Sequence, residues 1–155
     1  MASLLCGVIM LNRLIMKIDN TLLDELTAQA QASPRLRMNM DLRNSAADTS
    51  QRMLNAIEPG SVVPIHRHRK TSETVVVLRG RVVEEYYDDA GVLAESFVLG
   101  DCHVADAPRN DVQAVPAMQV EMGQWHRLEA LESGTVIVEF KNAAYEPIAA
   151  EDVLG

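Results

Sequence analysis

The chain has 155 residues, is 48% hydrophobic and carries a formal net charge of −8. This length and apolar content suffice for one domain with one core. The negative charge argues against non-specific binding to nucleic acid or to anionic membranes. Cys6 and Cys102 give no disulfide framework, so a reducing cytoplasm is the expected location. The apolar run from Leu4 to Leu11 is too short to span a bilayer and lacks the basic start of a signal peptide.

The sequence divides into three parts. Residues 1–15 form a leader or N-terminal extension, which is either an upstream-start addition or an added edge strand used in subunit contact. Residues 16–36 form a helical segment, and residues 37–155 form a single β-rich domain. In the helical segment, Asp19 or Asn20 is placed to cap a helix that ends before Ser33 and Pro34. The apolar side chains of this helix recur on one face, at Leu22, Leu23, Leu26 and Ala30.

Beyond the helix the hydrophobic pattern changes to a period of two, which is typical of strands. Polar residues alternate with Met38, Met40 and Leu42, so one face of this segment is polar and the other apolar. Gly and Pro residues separate further short strand-like runs, a pattern that fits a sandwich or a barrel. These runs are Gln51–Ile57, Val63–His68, Thr74–Leu78, Val82–Tyr87, Val92–Leu99, Val112–Val115, Gln119–Glu121, His126–Leu131 and Thr135–Phe140.

Two histidines one residue apart are the strongest chemical signal in the sequence. His66 and His68 point to the same face if their segment is a strand, and Glu73 opens the next strand beside them. Imidazole nitrogens and a carboxylate suit borderline or hard divalent ions, and the lack of thiolate ligands argues against a structural zinc finger. His126, after Gly123, is the expected third imidazole. The sequence therefore predicts one divalent metal ion, with zinc, iron, manganese and nickel as the candidates.

The spacing from Gly60 to Gly80 resembles the cupin superfamily, whose first motif is G-x5-H-x-H-x(3,4)-E-x6-G. The second cupin motif, G-x5-P-x-G-x2-H-x3-N, is matched in part, since Gly123 and His126 are kept. Three positions depart from this motif, at Val115, Glu121 and Ala130. The resemblance implies an all-β jelly-roll barrel, also called a double-stranded β-helix, with a short N-terminal helix. It also implies that His66, His68, Glu73 and His126 hold the metal.

Within that superfamily the stretch from about Arg37 to Pro147 is similar to the small WbuC-type cupin metalloproteins. The segments that carry this likeness include Glu58-Pro59-Gly60, Trp125-His126 and the run from Glu132 to Glu139. The likeness implies an association with surface-polysaccharide biosynthesis and a homodimer that pairs through sheet edges.

Several polar residues are candidates for contact with a small-molecule substrate. Arg37 and Asn39 lie on a polar strand face that lines the mouth of the barrel or faces solvent. Trp125 is a stacking platform for a ring-shaped substrate or a packing residue, and Asn55 and Lys141 are further candidates. The candidate catalytic carboxylate, for proton transfer near the metal, is Glu139.

Three functions fit these residues. The first is a metal-dependent enzyme that isomerises or epimerises a small polar metabolite, such as a sugar or sugar nucleotide, by Lewis-acid chemistry. The second is a binding module that holds a metabolite through its metal without turnover. The third is an Fe(II) dioxygenase. The sequence contains no G-x-S-x-G elbow, Walker loop or dinucleotide fingerprint, so the chemistry is expected to come from the metal.

Overall fold

The computed structural model describes residues 15–100 and 114–154. These residues form one α-helix, one short 3₁₀ helix and ten strands. The predicted Val112–Val115 strand and most of the predicted leader lie outside the described residues, although Val115 forms an isolated bridge with Leu99. The elements are α1 (Asn20–Ala32), β1 (Arg37–Asp41), β2 (Gln51–Ile57), β3 (Ile65–His66), β4 (Glu73–Arg79), β5 (Arg81–Tyr87), β6 (Leu93–Gly100), β7 (Ala117–Val120), β8 (Trp125–Ala130), β9 (Thr135–Lys141), the 3₁₀ helix (Ala150–Asp152) and β10 (Val153–Leu154).

The strands form two five-stranded sheets, and all their named pairings are antiparallel. The first sheet has the order β1-β2-β9-β4-β7, and the second has the order β10-β3-β8-β5-β6. Side chains of both sheets meet in one apolar cluster, which includes Val75 and Ile137 from the first sheet and Val82 and Leu128 from the second. The predicted all-β jelly roll with a short N-terminal helix is therefore confirmed.

Helix α1 covers the outer face of the first sheet. Its N-cap is Asp19, whose side chain accepts a hydrogen bond from the backbone N–H of Leu22 at 3.3 Å. The buried stripe on the helix packs against outward-facing residues of β2 and β9, which form a second apolar cluster. The helix begins and ends where the sequence predicted, because a capping residue and a Ser-Pro stop flank one apolar stripe. The cluster contains Leu23, Leu26, Ala30, Leu54, Ala56, Val136 and Val138.

The inner faces of the strands change from apolar to polar along their length. On β4 the inward residues are Glu73, Val75 and Val77, and on β9 they begin with Ile137 and continue to Glu139 and Lys141. Because alternate residues of a strand share a face, one alternation supplies both the apolar core and the polar groups beside it. The polar end of the barrel interior is therefore set by the same strands that form its core.

A glycine joins β4 to β5 where the chain passes very close to β9. Gly80 has φ +80°, a left-handed backbone conformation that residues other than glycine rarely adopt. A Cβ at this position would also lie 2.9 Å from Thr135 Cα. Gly123 has a similar φ of +84°, but a Cβ there would meet nothing within 4 Å. A side chain at Gly80 would therefore meet both backbone strain and a steric contact, whereas one at Gly123 would meet backbone strain alone.

We expect Gly80→Ala to lower the free energy of unfolding by about 3 kcal/mol, because left-handed strain and overpacking add. Gly123→Ala should cost only about 1 kcal/mol, since it carries the strain without the contact. Urea unfolding of both variants and the wild type, in the presence of a chelator, measures the difference. Equal losses for the two variants would contradict the close approach to Thr135.

Candidate metal centre

Four side chains with metal-binding atoms converge from the two sheets. His66 on β3 faces His126 across the antiparallel pairing with β8, and their ring centroids are 4.4 Å apart. His68 follows β3, and Glu73 is the first residue of β4 in the opposite sheet. Each residue offers one ligand atom, and these four atoms lie within 4.8 Å of one another. The structure thus brings together all four residues predicted as metal ligands.

Backbone carbonyls orient two of the imidazoles. The Nδ1 atoms of His66 and His126 lie 2.9 Å from the carbonyl oxygens of Pro64 and Gln124, respectively. A carbonyl oxygen only accepts hydrogen bonds, so Nδ1 is assigned as the protonated nitrogen in each ring. The Nε2 atoms are then left with free lone pairs, as a metal-ligating histidine requires.

The converging atoms lack hydrogen-bond partners within the described part of the chain. His68 Nε2 and His126 Nε2 are buried and make no hydrogen bond, and buried Glu73 Oε2 has two close contacts, with His68 Nε2 and with Lys141 Nζ, each at 2.9 Å. Buried polar atoms without partners are costly, and a cation among them would satisfy all three. This donor set fits one divalent metal ion, and zinc, iron, manganese and nickel all accept it.

The ionisation states of these residues also suit metal binding. Burial lowers the pKa of His66 to about 4, and the neighbouring His126 adds to the shift. Burial likewise lowers the pKa of His126. For Glu73, burial alone would raise the pKa, but contact with His68 and the charge of Lys141 outweigh it and hold the pKa below its usual value. At neutral pH His66 and His126 are therefore neutral and Glu73 is ionised, the forms that bind metal.

A cavity of about 320 Å³ opens over this centre. Its lining includes all four ligand residues and five of the residues predicted to contact substrate or to act in catalysis. Lys141 also lies against the centre, with Nζ 2.9 Å from Glu73 Oε2. The predicted residues in the lining are Arg37, Asn39, Asn55, Glu139 and Lys141.

Trp125, the fifth predicted substrate contact, is not brought to the cavity. It is buried on β8, and its indole Nε1 donates a hydrogen bond to Asp89 Oδ1 at 3.2 Å. The guanidinium of Arg67 lies 4.3 Å from the ring centroid and covers one face. Neighbouring residues of a strand point to opposite faces, so the inward direction of His126 turns Trp125 outward. Trp125 therefore has the packing role, not the stacking role.

Arg67 also holds the ligand strand from outside. It lies between His66 and His68, and its Nε donates to Asp152 Oδ1 at 2.8 Å. Its backbone N–H donates to the carbonyl oxygen of Asp152 at 3.1 Å, and Val153 pairs with His66. The C-terminal strand β10 thus fixes the backbone of β3, and with it the direction of both histidines.

One buried carboxyl group in the cavity was missed by the sequence interpretation. Glu84 on β5 is 1% exposed, and both of its carboxyl oxygens lack a hydrogen-bond partner in the described residues. Burial raises its pKa well above the usual value, and the negative charges of Glu73 and Glu139 add to the shift. The strand alternation could have identified it, because Glu84 shares the inward face of Val82. At neutral pH Glu84 therefore carries a proton.

Glu139 has a similar environment. Burial raises its pKa to about 8, the charge of Glu73 adds to the shift, and Lys141 and Asn55 oppose it. The cavity thus contains two carboxyl groups that hold protons near neutral pH beside an ionised metal ligand. Closely placed carboxyl groups commonly divide acid and base roles in this way.

Comparison with known families identifies the chain by sequence. Residues 18–99, more than half of the chain, match a family described as "Domain of unknown function (DUF6016)". The chain belongs to this family. The match includes helix α1 and three of the four converging residues, His66, His68 and Glu73. A comparison with curated protein sequences finds no match.

Solved structures with the same fold include three proteins of different sizes. KdgF from Halomonas sp. aligns with a TM-score of 0.53 and 13% identity over 74% of this chain and 84% of its own. Oxalate oxidase in complex with glycolate aligns with a TM-score of 0.54 and 16% identity over 77% of this chain. CapF from Staphylococcus aureus, a capsular polysaccharide assembling protein, aligns with a TM-score of 0.55 and 16% identity over 74% of this chain.

These likenesses confirm the cupin fold. The matched region spans 57% of the oxalate oxidase chain and 30% of the CapF chain. The WbuC-type subdivision stays a prediction.

Among the described residues, no helix has the length and apolar character needed to cross a membrane.

We expect His68→Ala and Glu73→Gln each to lower metal affinity at least about 100-fold. Loss of a residue that only hydrogen-bonds to a metal ligand lowers affinity about 10- to 100-fold, and loss of the ligand itself should have a larger effect. Elemental analysis of protein purified without chelator or affinity metal measures the bound ion. Glu85→Gln is the control, because Glu85 pairs with Arg127 and does not line the cavity. Full metal content in His68→Ala would contradict the assignment.

We expect the free energy of unfolding of Glu84→Gln to exceed that of the wild type when a chelator keeps both free of metal. This difference should grow as the pH rises above the pKa that Glu84 has in the unfolded chain. The folded pKa of Glu84 is raised, so the folded wild type holds a proton that the unfolded chain releases, and its stability falls with rising pH. The variant cannot release this proton, so it should gain up to about 1.4 kcal/mol per pH unit above roughly pH 4.5. Urea unfolding between pH 5 and pH 8 measures the gain. A constant difference across this range would show that Glu84 is ionised in the fold.

Proposed function

We propose that this protein is a metal-dependent enzyme that moves a proton within a small polar metabolite, as in an isomerisation or epimerisation. The observation that carries the proposal is the position of Glu84 and Glu139, which line the cavity that opens over the four converging ligands. A purely structural metal site would not need proton-carrying groups at its side. The cavity volume lies near the lower end of the range for ligand pockets, about 300–1,000 Å³, and suits a small molecule.

In this proposal His66, His68, Glu73 and His126 hold one divalent ion. When bound, the ion supplies Lewis-acid chemistry, which polarises a carbonyl or hydroxyl oxygen of the substrate. Glu73 is the ionised member of the set, and the two backbone-bonded imidazoles present their Nε2 atoms. These residues therefore position the oxygen end of the substrate.

Glu139 transfers the proton. In its ionised form it accepts a proton from the hydroxyl-bearing carbon next to the substrate carbonyl and returns that proton to the former carbonyl carbon, while the proton of the hydroxyl group passes to the former carbonyl oxygen. An epimerisation would also need a second proton donor on the opposite face of the carbon. Its raised pKa places the two protonation states close together at working pH, which favours proton transfer in both directions. Glu84, which is protonated, donates a hydrogen bond to a substrate oxygen. No atom is gained or lost overall, as isomerisation requires.

The resemblance to WbuC-type cupins supports a sugar or sugar nucleotide from surface-polysaccharide biosynthesis as the metabolite. The likeness to CapF, a capsular polysaccharide assembling protein, agrees with this class of substrate. A cytoplasmic homodimer is part of the same proposal. Size-exclusion chromatography with light scattering measures the dimer directly.

We expect the metal-loaded wild type in deuterated water to exchange a carbon-bound proton of its sugar substrate, as measured by proton NMR over a panel of aldoses, ketoses and sugar nucleotides. Glu139→Gln should lower this exchange at least about 100-fold with metal content unchanged, because it removes the proton acceptor. Glu129→Gln is the control, since Glu129 is exposed on β8. Equal exchange by Glu139→Gln and the wild type would contradict the assigned role.

The same panel separates the two other functions. Binding without exchange in the metal-loaded protein would support the binding module, to which the same cavity and metal would be suited. Oxygen uptake that depends on iron and on a ligand would support the Fe(II) dioxygenase. In both cases the loss of the signal in His68→Ala ties the function to this centre.

A further inference from the structure

Two arginines in the described part of the chain differ from all the others in their electrostatic environment. Seven of the nine described arginines lie within ion-pair distance of a carboxylate; Arg35 and Arg37 lie within this distance of no carboxylate among residues 15–100 and 114–154. Both line the cavity over the metal centre. The chain has a net charge of −8, so two cations with no acidic partner in the described segments are not the result of a generally basic surface.

The backbone around these arginines holds them at the cavity. Leu36, between them, has φ +55° and is the one non-glycine residue with a left-handed φ in the described chain. Its N–H donates to Ser33 O at 2.9 Å, and its carbonyl accepts from Glu58 N–H at 2.9 Å. The carbonyl oxygen of Arg35 accepts from the hydroxyl of Ser61 at 2.9 Å. Strained backbone that is held by surrounding contacts is frequently found at functional sites.

The two guanidiniums act on each other. Burial lowers the pKa of Arg37, and the positive charge of Arg35 lowers it further. Arg37 Nη1 donates to the carbonyl oxygen of Val62 at 2.5 Å, which fixes one nitrogen of its planar group. An anion that lies against both guanidiniums would offset their repulsion, and the planar fork of arginine matches a carboxylate or a phosphate.

The acidic residues restrict where an anion can lie. Arg35 is exposed and Arg37 half-buried, whereas Glu73 and Glu84 are buried deep in the barrel. An anionic group placed beside Glu84 would meet a carboxyl group that forms no ion pair with a described residue, and the one lysine at this depth, Lys141, already lies against Glu73. The cavity therefore has two guanidiniums at its rim, whereas the charges of Glu73 and Lys141 at its depth already lie against each other. This arrangement orients a ligand that is charged at one end and uncharged at the other.

We propose that Arg35 and Arg37 bind the oxyanion group, a carboxylate or a phosphate, of the small molecule that this cavity accepts. The uncharged hydroxyl or carbonyl end of that molecule points toward Glu84, Glu139 and the metal centre. This inference deepens the proposed function, because it concerns the same cavity. It requires binding only, and does not depend on proton transfer.

The test compares three probes with the same three-carbon skeleton: glycerate, glycerol phosphate and glycerol. Isothermal titration calorimetry with the metal-loaded protein should give at least about 10-fold tighter binding of an anionic probe than of glycerol, as expected for charge-assisted hydrogen bonds. Preference for glycerate would identify a carboxylate, and preference for glycerol phosphate would identify a phosphate. Equal affinities for all three probes would overturn the proposal.

The double variant Arg35→Gln/Arg37→Gln should remove this preference and leave the bound metal in place. The matched control is Arg81→Gln/Arg127→Gln, which also removes two positive charges, but at residues outside the cavity lining. An equal loss in both double variants would show a general charge effect and overturn the proposal. A loss of the metal along with the anion preference would do the same.

Two further backgrounds separate the arginines from the metal and from catalysis. In His68→Ala, without a bound ion, the preference for an anionic probe should persist at least about 10-fold, because both guanidiniums remain. Its disappearance there would make the ion the anion receptor and overturn the proposal. In Glu139→Gln the preference should also persist, so failure of the proposed proton transfer would leave this inference standing.

Discussion

The organisation of this protein depends on four metal-binding side chains that point inward from two sheets. The described residues do not provide hydrogen bonds for all of their ligand atoms. His66 and His126 come from one sheet and Glu73 from the other. Lys141 offsets part of the charge of Glu73, but it leaves the lone pairs of the imidazoles buried without a partner, which is unfavourable unless a metal ion binds. The imidazole rings nevertheless stay in this arrangement, because the register of β3 with β8 and hydrogen bonds to the carbonyls of Pro64 and Gln124 hold them in place.

The surrounding cavity has two chemical ends. Its rim has two arginines that form no ion pair within the part of the chain that the structure describes, and its depth has carboxyl groups whose pKa values are raised because burial disfavours charge. A metal ion between these ends would act on a ligand whose orientation the charges have already set. The proposed function and the proposed anion site thus use two ends of one cavity.

The sequence predicted the part of the site that obeys regular spacing. His66, His68 and Glu73 follow from a strand alternation and a glycine-bounded motif, and helix α1 follows from its cap and apolar stripe. Glu84 was missed because a carboxylate on a strand is normally read as solvent-facing, although its alternation with Val82 pointed inward. Arg35 was missed because its direction depends on the left-handed backbone of Leu36, which no periodicity reports. Strand β10 has two residues, too few for any pattern.

The contacts of Arg67 have a consequence for how mutations would be interpreted. This side chain touches no ligand atom of the centre, yet its bonds to Asp152 and its position over Trp125 brace the strand that bears two histidines. Natural variation or a random screen for metal-deficient protein should therefore yield substitutions on the outer surface of the barrel as well as inside it. Surface exposure alone would be a poor guide to which positions tolerate change.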